Sequence, residues 1–289
     1  MTFYVVTADD YEWFGRCRRA WDLGAAGRRG LEPLASPPPT ADGALRAALA
    51  VHFFPGMWTW NRAIVAPLAD AALDRAGGTP ELHALLDGFR DWERSAPHIT
   101  PLRVDVDLDV VVPDPVERGH GLITAGGAAV SYRERVPLVF VDENERTWLG
   151  EHLVVDEFQD PDRFRLDERG LLACWAWEET HLSGRLAGTQ VTELRASPPG
   201  FRRTNLRRSH REIWGAARRL GLAVREMLAD PRVDPTPAWS HCRRCPFRAP
   251  CIAMNAGRDA TALVDANYRP RPRDALGRPK WVSNRSSSV

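Results

Sequence analysis

The chain is almost devoid of lysine. Of its 39 Lys+Arg residues, only Lys280 is a lysine. The other 38 are arginines. This excludes any chemistry that needs a lysine within the folded body: a Schiff base, a phosphate-loop lysine, or a lysine beside acidic metal ligands. Long apolar runs are missing too. No apolar run of about 18 residues occurs, so no membrane span is expected. Met1 to Asp10 lacks the basic, apolar and small-residue order of a secretory signal, which makes the cytoplasm the expected compartment. Cysteines number only five, and disulfides explain them poorly in a reducing compartment.

With 289 residues, 44% of them hydrophobic, the chain can bury a substantial core. A near-neutral net charge of +1 hides two opposed fields. Residues 101–170 carry 16 acids against 8 arginines, and residues 195–232 carry 10 arginines against 3 acids. The basic stretch is either a solvated face or a phosphate-binding surface. Arg202, Arg203, Arg207 and Arg208 are its best candidates for contact with single- or double-stranded DNA.

Helical spacing predicts a first helix over 7–23, carrying Tyr11, Phe14, Cys17 and Trp21. Further helices are expected over 42–54, 61–77 and 80–95. Period-2 alternation then predicts strands over 103–112, 129–141 and 147–155, the last two joined by a hairpin at Asp142-Glu143-Asn144-Glu145. Helical character returns over 166–180, and 185–195 is strand-like. Ser209 to Glu212 reads as a capping box opening a helix with Ile213, Ala217, Leu220, Val224 and Met227 on one stripe. Asp105, Asp107 and Asp109 share one strand face, which is either solvated or met by arginines. Trp58, Trp60, Trp175 and Trp177 read as core packing, or as a platform for stacked bases. Together these elements suggest one mixed α/β domain over 1–268 and a flexible Pro-, Arg- and Ser-rich tail over 269–289.

Cys242, Cys245 and Cys251 read C-x2-C-x5-C, a metal- or cluster-ligating spacing. Cys17 lies far upstream, and Cys174 sits in an apolar stretch as a core thiol. Cys17 and the triplet can supply four thiolates, which suit a [4Fe–4S] cluster or a tetrahedral zinc. Zinc ribbons usually use two close pairs, so one triplet with a distant fourth favours the cluster.

Cys17 within Phe14-Gly-Arg-Cys-Arg-Arg-Ala-Trp21, with the C-terminal triplet, resembles the iron–sulfur branch of the PD-(D/E)XK nucleases. That branch includes the CRISPR-associated exonucleases and RecB/AddB-like domains. Gly43 to Arg46, Arg133 to Asp142, Trp148 to Val155 and Leu166 to Ala173 resemble its successive core motifs. The resemblance spans roughly residues 7–256 and implies a restriction-endonuclease-like core. In that core a mixed sheet is flanked by helices, and a four-cysteine cluster joins the N- and C-terminal segments. It also implies a catalytic set that this chain lacks. Arg46 stands at the histidine position, Pro137 at the aspartate, Leu153 at the lysine, and Arg169 and Ala173 at the glutamine and tyrosine. Glu151 alone keeps its acid.

A single carboxylate binds Mg²⁺ or Mn²⁺ poorly, and a leucine cannot replace an ammonium group. The expectation is therefore a nuclease-like iron–sulfur pseudoenzyme that binds nucleic acid or a protein partner. Two other readings stay open: a divergent exonuclease using Glu151 with relocated ligands from Asp142, Glu143, Glu145, Asp156 or Glu157, and a cluster-based redox sensor. His52 is a possible stand-in for the missing histidine, and His152 is expected on the strand face opposite Glu151.

Overall fold

The structure is a computed structural model that describes residues 3–35, 39–181, 186–229 and 232–272. Lys280 and the greater part of the expected tail lie outside these residues.

In chain order the elements are β1 (Phe3–Thr7), α1 (Ala8–Arg16), α2 (Arg18–Gly24), β2 (Leu31–Pro33), α3 (Ala41–His52), α4 (Arg62–Arg75) and α5 (Pro80–Glu93). Then follow β3 (Ile99–Val111), β4 (Ala129–Asp142), β5 (Thr147–Val155), α6 (Pro161–Arg165), α7 (Glu168–Thr180), β6 (Gly188–Arg195) and β7 (Gly200–Arg207). The chain continues with α8 (His210–Leu228), α9 (Trp239–Cys242), α10 (Arg248–Asn255), α11 (Thr261–Asn267) and β8 (Tyr268–Pro270).

The strands form a mixed sheet in the order β1-β4-β5-β6-β7, with β3 also on β4. β1 runs parallel to β4, and β5 parallel to β6. β4/β5 and β6/β7 are antiparallel. The expected α/β class holds at this level.

The chain divides into two compact units that interleave in sequence. The first uses residues 3–35, 109–133 and 217–272; the second uses 39–108 and 134–216. The second unit centres on an apolar cluster in which α3 and α5 contribute Leu45, Leu49, Leu86 and Phe89, and the strands contribute Leu138, Phe140, Trp148 and Leu194. The first contains a smaller cluster of Cys17, Ala20, Leu23 and Phe247.

Local chemistry explains the element ends. Thr7 and Asp10 form a reciprocal capping box that starts α1. Thr40, Asn61 and Thr79 cap α3, α4 and α5 through their side-chain oxygens. The Asp142 carboxylate accepts from the backbone N–H of Asn144 and Arg146, from Arg146 Nε and from Trp148 Nε1, all within 3.0 Å. These bonds hold its pKa far below the usual carboxylate range. Asp142 therefore builds the hairpin.

Three expectations need correction. The helix over 7–23 is two helices, broken at Cys17, whose backbone is extended. The basic stretch Phe201 to Arg207 is not one exposed basic face: it forms strand β7, paired with β6 along its length, with Arg202 and Arg203 half-buried. The tail expected from 269 begins inside a strand, because Glu32 pairs with Arg269 and Leu31 with Pro270 across β2 and β8. Short-range periodicity cannot see that pairing, since its two strands lie more than two hundred residues apart.

Candidate functional site

Two places carry the residues singled out by the sequence, one in each unit.

In the first unit the chain turns sharply at Cys17. Its N–H still closes α1 on the Trp13 carbonyl at 2.7 Å, and its own carbonyl accepts from Trp21 at 3.0 Å. The extended residue between the helices therefore costs few backbone bonds. Cys17 is buried, and the triplet cysteines are partly so. Cys242 ends α9, Cys245 lies in the following turn and Cys251 sits inside α10. Burial pushes the Cys245 thiol above its ordinary value, and the neighbouring thiols of Cys17, Cys242 and Cys251 push it further. The Phe247 N–H acts in the opposite direction. Cys17, Cys242 and Cys251 thus each lie within electrostatic reach of Cys245.

The surroundings are tightly packed. A Cβ on Gly24 would fall 2.1 Å from the Trp13 ring and 2.8 Å from the Phe247 ring, so only glycine lets the end of α2 come this close. Arg19 Nη1 lies 3.7 Å from Cys251 Sγ. Among the described residues no three His, Cys, Asp or Glu side chains stand so that they could hold a single ion. Cys174 is a fully buried thiol in α7, raised to about 12 by burial, and belongs to the core.

In the second unit the β4–β5 ladder runs from Val141–Thr147 to Leu138–Gly150. Beyond it, Glu151 to Val155 pair with β6. The Val154 N–H is taken by Asp42 Oδ1 at 2.6 Å, from the first turn of α3. The positions matched to nuclease motifs surround this fork. Pro137 has no N–H to continue the ladder. Leu153 packs against an apolar cluster of Phe164, Val191 and Leu206. His152 faces the other way, stacking on Phe53 and meeting Phe89 edge-on, as alternation requires. Burial lowers its pKa to about 3, with help from Arg203, His52 and Arg46.

Several acids near the fork are bound to arginine. Arg169 makes a two-pronged bond to the buried Glu134 carboxylate at 2.9 and 3.1 Å. Arg135 does the same to Asp107 at 2.6 and 3.1 Å. Arg46 lies 3.9 Å from Asp105. In the first unit Arg133 lies 3.3 Å from Asp109. The acidic strand face therefore meets guanidinium groups, and Arg46 and Arg169 are counter-ions. His52 is equally committed, with Nε2 lying 2.6 Å from Glu93 Oε2 in an aromatic setting. Sequence inspection overlooked Glu134, whose only signal was a charged residue within an apolar strand.

The four arginines of the basic stretch have different fates. Arg202 bonds the buried Glu193 at 2.7 Å. Arg203 donates to the Pro97 carbonyl and lies over the Trp92 ring. Arg208 is buried and donates to the carbonyls of Phe164 and Arg165. These three hold the fold and do not form a common exposed face. Arg207 is exposed.

A cavity of about 440 Å³ at the end of β7 gathers Arg207 and Arg208 with Arg146 and Arg165. A second, of about 410 Å³, is lined by Trp92, His98, Gln190 and Phe201 among others. Both cavities share Arg146 and Asn205. Of the tryptophans, Trp175 and Trp177 are core residues as expected, whereas Trp60 is half exposed.

No family model matches the chain, and no curated protein matches it. One solved structure that does match is described as the crystal structure of SSO0001. It is 9% identical with a TM-score of 0.34, and the match covers 75% of this chain and 87% of that one. A likeness of this degree carries no weight for function.

Proposed function

We propose that the chain is a nuclease-derived iron–sulfur protein that does not cleave its ligand and acts by binding single-stranded nucleic acid. The observation that carries this reading is the gathering of Cys17, Cys242, Cys245 and Cys251 in one unit, each within electrostatic reach of Cys245. Four thiolates are the donor set that a [4Fe–4S] centre or a zinc ion takes, and Cys17 and Cys245 share an apolar cluster. Among the described residues the side chains do not close around a single ion, so the reading rests on the donor set and its gathering in one unit. Bound there, such a centre would supply a covalent-strength tie between segments and a one-electron couple.

Loss of hydrolysis is supported by the fork. The lysine position is an apolar packing residue, the aspartate position is Pro137, and Glu134, Asp105 and Asp107 are balanced by arginines. An Mg²⁺ ion that must shed tightly held water needs more free carboxylate than this. The arginine cavity of the second unit supports the nucleic-acid ligand.

Anaerobic purification followed by a visible spectrum and iron, sulfide and zinc analysis tests the centre. Iron and sulfide in near-equal amounts, lost in Cys245→Ser, are expected; zinc alone would replace the cluster reading. Strand cleavage with Mg²⁺ or Mn²⁺ that disappears in Glu151→Ala would overturn the non-hydrolytic reading. Absence of binding to any strand at low salt would leave a protein partner as the ligand.

A further inference from the structure

We infer that the two cavities along β7, which share Arg146 and Asn205 in their walls, form a nucleotide subsite, with the phosphate in the arginine cavity and the base in its aromatic neighbour. This rests on the nucleic-acid reading above and deepens it.

Charge is the first support. Of the four guanidinium groups in the first cavity, Arg146 is balanced by Asp142 at 2.7 Å and Arg165 lies 3.5 Å from Asp162. Arg208 spends its Nη donors on neutral carbonyls, and its buried Nε has no hydrogen-bond partner. Arg207 makes no side-chain bond among the described residues. Arg208 is buried and lies within electrostatic reach of Asp167 and of Glu212, which caps α8 through Ser209, so Arg207 is the cation left for a ligand. Arg207 is exposed on this cavity, and a planar guanidinium matches phosphate oxygens in pairs.

The second support is the neighbouring cavity. Trp92 and Phe201 give it flat apolar surface, while Gln190 and Asn205 give it amides. Gln190 Nε2 donates to Asn205 Oδ1 at 2.7 Å. That bond orients both amides and leaves the Gln190 carbonyl oxygen and the Asn205 nitrogen for a third group. An acceptor and a donor side by side beside aromatic walls suit a nucleobase edge better than a peptide carboxylate. Each cavity falls within the range of about 300–1,000 Å³ common for small-molecule sites.

Calorimetric titration of the full chain at low salt tests the subsite, with thymidine 5′-monophosphate, thymidine, inorganic phosphate and a short oligothymidylate as probes. The monophosphate should bind more tightly than thymidine or phosphate. Arg207→Ala should weaken the monophosphate and phosphate alike by about tenfold, as loss of a charge-assisted bond predicts. Arg207→Lys should recover part of that loss. Asn205→Ala should weaken the monophosphate by a larger factor than it weakens phosphate, since Asn205 lines both cavities. Both residues are exposed, and a melting curve checks that each variant folds.

Monophosphate affinity indifferent to Arg207→Ala, or equal to that of phosphate alone, would overturn the subsite. Strand binding without any Arg207 dependence would also overturn it while leaving the broader function standing. Tight monophosphate binding with no strand binding would support the subsite and overturn the broader function.

Discussion

Glu134 is a carboxylate with 1% exposure, and Arg169 is the group that makes its burial tolerable. Arg169→Met should therefore destabilise the protein by about 3–5 kcal/mol, because it strands a charge in the core. Arg169→Met with Glu134→Gln should recover most of that loss, and urea denaturation of the four-variant cycle measures it. His152 offers a second test at this scale. Its folded pKa is lowered to about 3 from 6.5, so the unfolded chain takes up a proton that the folded chain refuses. The stability it protects is complete above pH 6.5 and declines as the pH falls from there toward 3. Between pH 7 and pH 5 the urea midpoint of the wild type should drop more than that of His152→Leu. Equal drops would show that His152 does not titrate this way.

Among the elements, α8 shows most directly how local sequence becomes structure. Ser209 Oγ accepts from the Glu212 N–H, and the Glu212 carboxylate returns to the Ser209 N–H at 2.7 Å. Ile213, Ala217, Leu220, Val224 and Met227 are all buried, as the helical stripe predicts. Ser209→Ala should cost about 1 kcal/mol. A thermal melt reads the effect, and no loss would mean that packing alone sets where the helix starts. The hairpin at Asp142, the capped starts of α3 to α5 and the bounds of β5 were equally legible, because each depends on residues a few positions apart. Strand β7 was not. Its residues alternate weakly and carry four arginines among 201–208, so they read as surface until Glu193, Pro97 and the carbonyls of α6 supply partners.

At the scale of the whole molecule, the first unit brings residues 3–35 together with residues 217–272. A centre held by Cys17 and Cys242 would close a loop of about 225 residues, where the entropy of the unfolded chain makes a tie most effective. Removing it with a chelator should open residues 8–35 and 239–258 to limited proteolysis before the second unit is cut, with cleavage sites read by mass spectrometry. Digestion unchanged by the chelator would mean that the thiols hold nothing of structural weight.

The sequence by itself determined the helices over 41–93, strands β3 to β6, helices α7 and α8, and which four thiols could share a ligand, because caps, periodicity and spacing act over short stretches of chain. It also determined that a single lysine, Lys280, is present in the whole chain. Only the tertiary structure decided the partners of the charges. Arg46, Arg169, Arg202 and Arg208 are long cations with several possible fates, and whether each meets solvent, a ligand or a buried acid depends on distant strands placed beside it. The same holds for β2 with β8 and for the two cavities at the end of β7, since contacts between remote segments leave no periodic trace in the residues that make them.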